Sequence, residues 1–255
     1  MEHLFEPAGQ ADLANAIARR PLLAFDFDGT LAPIVARPAD ARMPAATLRR
    51  LRLVARHLPL AVISGRALDD LRRRIGVDSA HLVGNHGAED PHVPQPWQWH
   101  CALDGVRARL RQAAAALLRA GVTVEDKGAS MALHYRRAPD RVAAMAAIDR
   151  ALQPIEPGVQ VFGGKMVINV VSAAADDKAA SLRRVAARVG AQAVVYLGDD
   201  INDESVFAAK DPHWLTVRVG ADAPDSEARY FVEGPRELPR LLDHILSLIG
   251  ATRPD

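Results

Sequence analysis

The chain has 255 residues, 49% apolar and 25% charged, with 32 basic residues against 31 acidic ones. That is the make-up of a globular chain with bulk enough for a core, and it excludes a disordered one. A net charge of +1 gives no reason to expect a nucleic-acid partner or an anionic membrane surface.

The elements alternate short apolar runs with longer helical ones, which argues for an α/β fold. Leu22-Leu23-Ala24-Phe25 is a continuous apolar run stopped by Asp26, the pattern of a buried parallel strand. It is too short for the apolar part of a secretory signal. Over 45–58, Leu48, Leu51, Val54, Ala55 and Leu58 fall at helical spacing. Leu60-Ala61-Val62-Ile63 is a second buried run and ends at Ser64-Gly65-Arg66; Leu82-Val83 leads into Gly84-Asn85-His86-Gly87. Trp97 and Trp99, two residues apart, read as sharing one strand face and packing there.

The middle of the chain reads differently. Leu103, Val106, Leu110, Ala113, Leu117 and Leu118 predict one helix over about 103–120. Val122 to Lys127 and Met131 to Arg136 alternate as strands, and a helix follows over about 139–152. Val159 to Phe162 and Lys165 to Val171 read as a hairpin turning at Gly163-Gly164. This is an α+β unit inserted in an α/β domain. Its boundaries are read at 103–172, leaving 1–102 and 173–255 as the other domain. Further on, Ala193-Val194-Val195-Tyr196-Leu197 runs into Gly198-Asp199-Asp200. Ligands of open parallel sheets bind beyond the carboxyl ends of the strands, where these loops gather.

The sharpest feature is Phe25-Asp26-Phe27-Asp28-Gly29-Thr30-Leu31. An isolated Asp-Gly is an ordinary turn. Two carboxylates two residues apart, directly after a buried strand, are not explained by surface charge. Asp199, Asp200, Asp203 and Glu204 form a second acidic strand end, which by itself also fits an acidic helix N-terminus.

Asp-x-Asp-Gly-Thr after the first strand resembles the signature of the haloacid-dehalogenase-like phosphohydrolases. The resemblance implies a Rossmann-like parallel-sheet hydrolase core with an inserted α+β cap. It makes Asp26 a nucleophile on phosphorus, giving an aspartyl-phosphate that water hydrolyses. Asp28 becomes the general acid for the departing alkoxide and then the base for water. Ser64 and Lys178, which opens the helix Asp177-Lys178-Ala179-Ala180-Ser181-Leu182, would bind the transferring phosphoryl group. A carboxylate attacking a phosphate dianion needs cations. Mg²⁺ suits an all-oxygen site, with Asp26, Asp28, Asp199, Asp200 and Asp203 as the implied ligands or their orienting neighbours. An insertion between the second and third motifs implies a large α/β cap, which excludes water and selects the substrate.

Within that superfamily nearly the whole chain is similar to the trehalose-6-phosphate phosphatases. The supporting stretches are Asp26 to Ile34, Val62 to Arg66, Gly84 to Glu89, Val124 to Gly128 with Ala132 to Arg136, and Gly198 to Asp200 with Asp203-Glu204. The similarity implies a sugar phosphate substrate met by Thr30, Arg66, His86, Glu125, Lys127 and Lys165. One departure stands out: Gly164-Lys165-Met166-Val167-Ile168-Asn169 has Asn where that family usually has Glu. The departure keeps open a different sugar phosphate, such as a sucrose or glycosyl-glycerate phosphate. A non-catalytic binding protein on the same fold is the other alternative, and the intact acidic motifs argue against it.

Composition adds two expectations. The chain has four lysines, Lys127, Lys165, Lys178 and Lys210, against an abundance of arginine. Lysine is a compact point charge and arginine a planar fork, so a lysine kept here marks a place that needs the point charge. One cysteine, Cys101, excludes an internal disulfide and a cysteine-rich metal site. With no apolar stretch approaching the roughly 18 residues of a membrane span, the expectation is a cytoplasmic enzyme, a monomer or weak homo-oligomer, with no nucleic-acid or membrane partner.

Overall fold

The computed structural model describes residues 1–94 and 96–250. The chain divides into two compact units, Met1–Pro91 with Asp177–Asp255, and His92–Asp176. The sequence reading sets the inserted unit at 103–172. The structure begins it earlier because the helix of residues 97–102 packs on elements of that unit.

In the first unit the elements are β1 (Glu2–His3), α1 (Pro7–Ala18), β2 (Leu22–Phe25), α2 (Ala45–Val54), β3 (Leu60–Ile63), α3 (Leu68–Ile75) and β4 (His81–Val83). The second unit holds α4 (Trp97–Ala102), α5 (Asp104–Gln112), α6 (Ala114–Arg119), β5 (Thr123–Asp126), β6 (Ser130–His134), α7 (Arg141–Leu152), β7 (Val159–Gly164) and β8 (Val167–Ser172). The chain then returns to the first unit with α8 (Lys178–Arg188), β9 (Val194–Gly198), α9 (Glu204–Phe207), β10 (Trp214–Val219), β11 (Tyr230–Val232) and α10 (Leu238–Leu248).

Seven strands of the first unit form one sheet, ordered β1-β11-β10-β9-β2-β3-β4, and every pair is parallel. The continuous apolar runs follow from burial on both faces. Leu23, Phe25, Val62 and Leu197 pack against Leu13, Leu51, Leu71 and Leu242 of α1, α2, α3 and α10. Leu22, Ala24, Ala61 and Tyr196 pack the other way, against Leu182 and Val185 of α8 and Phe207 of α9. Each fully buried side chain of this size contributes about 1.5–3 kcal/mol on leaving water. From β2 the chain moves to β3 and β4 on one side, and then returns through β9 on the other. The crevice beyond β2 and β9 is therefore the switch point where such sheets bind ligands.

In the second unit four antiparallel strands are ordered β5-β6-β8-β7. Met131, Leu133 and Val170 on one face pack against Val106, Leu117 and Ile148 of α5, α6 and α7. Asp140 opens α7, accepting from the N–H groups of Val142 and Ala143.

Three local expectations are corrected. Trp97 and Trp99 lie in helix α4, not on a strand. Two positions on a helix point nearly opposite ways, so Trp97 is 67% exposed and Trp99 half-buried. The helix expected over 103–120 breaks at Ala113, which closes α5 and opens α6. The hairpin turns at Lys165-Met166, while Gly163 and Gly164 pair with Ile168 and Val167 as strand. Met166 adopts the positive φ, 64°, of the tight turn.

Candidate active site

Asp26 follows β2, Ser64 follows β3, Asp199 follows β9, and Lys178 opens α8. The strand ends place the carboxylates because β2 and β9 are neighbours in register, with Phe25 beside Leu197. Asp177 caps α8 by accepting from Ala180 N at 2.7 Å, which sets the direction in which Lys178 leaves the helix. Lys178 is 1% exposed, and its Nζ donates to Asp26 Oδ1 at 2.9 Å and to Asp203 Oδ1 at 2.7 Å. A cation at a helix N-terminus faces the wrong end of the helix dipole. Burial also works against it, but the charges of Asp203 and Asp26 outweigh this and hold the ammonium above the ordinary lysine range. Burial pushes the Asp26 carboxyl up, against the pull of Lys178, and Asp203 and Asp199 push the same way.

Asp203 is surrounded by donors. Its Oδ1 accepts from Lys178 and from the hydroxyl of Tyr196, and its Oδ2 accepts from the N–H groups of Asp199 and Asp200, each at 2.9 Å. All four acceptor positions of the carboxylate are thereby used. Thr30 Oγ1 donates to Asp199 Oδ1 at 3.2 Å. Gly29, at φ +88°, lets the Asp199 carboxylate approach, since a methyl group there would overlap it.

Among the described residues, Asp26, Asp199 and Asp203 form a buried group whose carboxylate oxygens lie within 4.8 Å of one another. Three carboxylates against one ammonium leave a surplus of two negative charges in a buried place. A divalent cation that prefers oxygen offsets that surplus, so the donor set fits one. Asp200 stands outside this group. Its side chain accepts from Ile201 N at 2.9 Å and makes a reciprocal cap with Asp203 at the start of the short turn Ile201–Asp203.

The remaining expected residues are placed by β3 and the loop after β4. Asp28 lies with Arg66: Nε donates to Oδ2 and Nη2 to Oδ1, both at 2.7 Å. Ser64 is buried, and its Oγ accepts from Arg66 N at 3.2 Å. His86 N donates to Ser64 O at 2.9 Å, and the imidazole lies over Gly65, where a methyl would meet the ring. Asn85 and His86 hold φ of 48° and 60°, a conformation that costs non-glycine residues energy and clusters at functional sites. Glu89 secures the turn by accepting from Asn85 Nδ2 and from Leu68 N.

Known proteins resemble the chain in sequence and in fold. The trehalose-phosphatase family profile matches residues 24–235. The chain belongs to the trehalose-phosphatase family. A trehalose-phosphate phosphatase of Mycobacterium tuberculosis is 35% identical over 254 residues, covering 93% of this chain and 63% of the relative. An uncharacterized glycosyl hydrolase of the same organism is 38% identical over 204 residues, 75% of this chain and 15% of the relative. The chain thus spans less than two thirds of the curated relatives it matches. In fold, the trehalose-6-phosphate phosphatase C-terminal domain of C. albicans superposes with a TM-score of 0.78 at 23% identity, over 96% of this chain and 98% of that one. The Aspergillus fumigatus trehalose-6-phosphate phosphatase gives 0.61 at 23% identity, over 99% and 100%.

The inserted unit of this family member carries the other expected residues. The register sets Glu125 opposite Ala132, Ala132 opposite Asn169 and Asn169 opposite Phe162, so these side chains form one row on a single face of its sheet. On that face His134 Nε2 lies 2.9 Å from Glu125 Oε2, and Lys127 Nζ lies 3.9 Å from the same oxygen. Asn169 is buried, and its Nδ2 makes no hydrogen bond among the described residues. Lys165 is in the β7–β8 turn, its carbonyl accepting from Arg136.

Sequence reasoning gave no role to Tyr196, Asp70 or Glu89, although Glu89 lies in the stretch Gly84 to Glu89 that carries the family resemblance. Tyr196 had a signal: a lone tyrosine in an aliphatic buried strand needs a partner for its hydroxyl. Asp70 had one too, since Arg66 and Arg74 stand four residues before and after it, the spacing of local ion pairs; Glu89 pairs with Asn85 inside its own loop and with Leu68 N, a bond that no local pattern marks.

Proposed function

We propose that this protein is a Mg²⁺-dependent phosphatase that hydrolyses trehalose 6-phosphate to trehalose and phosphate. Family membership supports the substrate, and one observation carries the chemistry. Lys178 is buried between Asp26 and Asp203 at the strand ends, beside Asp199.

The residues divide the work as follows. Asp26 attacks phosphorus, forming its bond to phosphate as the bond to the sugar oxygen breaks. Asp28 gives a proton to the departing alkoxide, then takes one from the water that attacks the aspartyl-phosphate. Lys178 and Ser64 bind the phosphoryl oxygens, the ammonium held ready by Asp203 so that no rearrangement is needed as charge moves. Mg²⁺ would be held by the carboxylates of Asp26 and Asp199 and the backbone carbonyl of Asp28; when bound, it neutralises charge between an anionic nucleophile and a phosphate dianion. Asp203, with its oxygens occupied, and Asp200, turned to its own cap, orient rather than ligate. The inserted unit is read as the substrate-selecting cap, its polar face of Glu125 and Lys127 offering hydrogen bonds to sugar hydroxyls, with Lys165 at its edge. No helix among the described residues is long and apolar enough to cross a membrane. A cytoplasmic setting belongs to the same reading.

A second reading, a different sugar phosphate as the substrate, is favoured by Asn169. A buried amide donor that makes no hydrogen bond among the described residues stands where a Glu would present an acceptor. Phosphate release from a panel of sugar phosphates decides between the readings, with Asp26→Asn as control. Trehalose 6-phosphate is expected among the best substrates and the control inactive. Wild-type turnover in Asp26→Asn overturns the mechanism; poor turnover of trehalose 6-phosphate beside another sugar phosphate overturns the substrate.

A further inference from the structure

Arg66 was expected at the substrate, yet the structure spends its side chain inside the protein. The residue is 8% exposed. Nε and Nη2 grip both oxygens of Asp28, Nη1 donates to Asp70 Oδ2 at 2.7 Å, and Nη2 also donates to Pro38 O at 2.8 Å. The guanidinium lies 5.2 Å from the centre of the Phe27 ring. Four of its five N–H donors are thus directed at protein atoms. Releasing any of the Asp28 contacts to reach a phosphoryl oxygen would leave a carboxylate without its partner.

The fork is itself braced. Asp70, in the first turn of α3, also accepts from Arg74 Nε at 2.8 Å. Arg74 in turn donates to the carbonyls of Ala39 and Ala41. The line Asp28, Arg66, Asp70, Arg74 therefore ties the loop of residues 38–41 and α3 to one carboxylate.

We propose that Arg66 is a positioning residue that acts through Asp28, fixing the orientation of the carboxylate that moves the proton, and that it does not bind the substrate. The proposal rests on the acid–base role of Asp28 given above. A carboxylate has two torsions that swing it away from a leaving oxygen. Two parallel hydrogen bonds to a planar, braced guanidinium restrict both, which a single bond does not. The Asp28 side chain remains 36% exposed, so the fork does not seal it from a bound substrate.

The test is a double-mutant cycle of Arg66→Gln and Asp28→Asn, on trehalose 6-phosphate and on p-nitrophenyl phosphate. Arg66→Gln alone is expected to lower kcat by about 10- to 100-fold, the scale of a misplaced proton-transfer group, with KM nearly unchanged. In the Asp28→Asn background the same change is expected to add almost nothing, since there is no acid–base group left to place. Arg66→Lys is expected to behave like Arg66→Gln because an ammonium cannot form the fork. An equal loss in both backgrounds would show a general structural role and overturn the proposal. So would a rise in KM for trehalose 6-phosphate with kcat retained, the mark of a substrate contact. Should Arg66→Gln fail to fold, Asp70→Asn replaces it in the cycle: it loosens the brace without touching the fork, and the same non-additivity with Asp28→Asn is required. The parent reading fails separately, through Asp26→Asn or the substrate panel. If another phosphoester is the better substrate, the cycle is read on that one with the same outcomes.

Discussion

The hydroxyl of Tyr196 donates to Asp203 at 2.6 Å, beneath the lysine that joins Asp203 to Asp26. Tyr196 is wholly buried on β9, and its ring packs edge-on against Phe207. It supplies one of the four bonds that saturate Asp203. Tyr196→Phe keeps the packing and removes that bond. Losing a hydrogen bond to a buried charge should cost about 1.5–3 kcal/mol of stability, and kcat should fall as the ammonium loses its fixed anchor. Urea unfolding and steady-state kinetics on the same preparation check both. Unchanged stability would mean that the tyrosine serves packing alone.

The lysines separate cleanly. Lys178 is buried against two carboxylates, whereas the Lys210 side chain is 71% exposed and meets Glu227 at 3.1 Å. Lys178→Arg places a larger planar fork where a point charge fits, and a loss of about 100-fold or more in kcat is expected. Lys210→Arg should be silent in activity and in melting temperature, since exposed pairs contribute little. Comparable losses in the two variants would undo the argument.

Gly29 and Asp199 make a joint prediction about the cation. Gly29→Ala combines a left-handed backbone, costing about 1–3 kcal/mol, with an overlap on the Asp199 carboxylate. Calorimetric titration with Mg²⁺ should show weakened binding in Gly29→Ala and in Asp199→Asn, by about tenfold or more, and a much smaller effect in Asp200→Asn. Chelation should abolish turnover and leave the circular dichroism spectrum intact. Equal weakening in Asp200→Asn would return that residue to the ligand set.

Asp70 predicts a pH dependence. Burial pushes its carboxyl up, but hydrogen bonds and charge from Arg74 and Arg66 prevail and hold it well below the usual carboxylate range. A group whose pKa is depressed on folding contributes stability above its unfolded pKa, near 3.9, and loses it as pH falls toward the folded value. Asp70→Asn should therefore be less stable than wild type at pH 7. The difference should shrink as pH falls below about 4. A difference that stays constant across that window would show that the charge of Asp70 contributes nothing.

The polar face of the inserted unit makes a substrate prediction. Lys127→Ala should lower kcat/KM on trehalose 6-phosphate far more than on p-nitrophenyl phosphate, which has no sugar to hold. Equal losses on both would remove Lys127 from sugar recognition.

Much of this was legible in the chain alone, for definite physical reasons. Apolar runs ending in small or acidic residues mark strands buried on both faces, and β2, β3 and β9 lie where those runs are. The far side of the same sheet was less legible: β1 and β11 are only two and three residues long, too short to show a pattern, although the alternation of Leu215, Val217 and Val219 with Thr216 and Arg218 does mark β10 as a strand. The i, i+2 spacing of Trp97 and Trp99 fits more than one backbone, and packing of α4 on α5 and β8 chose a helix. A glycine pair suggested the wrong turn because Met166 could take the positive φ itself.

Asp26, Asp28, Lys178 and Asp199 stood out in the sequence because they follow apolar runs or open a helix and match the motifs of a known family. What each carboxylate touches was decided by the tertiary structure. Asp203 is filled by a tyrosine and two backbone N–H groups, Asp200 is spent on a cap, and Asp28 is gripped by an arginine 38 residues away. The order of residues along a strand specifies which groups reach the sheet edge. Part of that division is local, as in the cap shared by Asp200 and Asp203, but the bonds of Lys178 to Asp26 and of Arg66 to Asp28 form only when distant elements meet, and no local pattern records them.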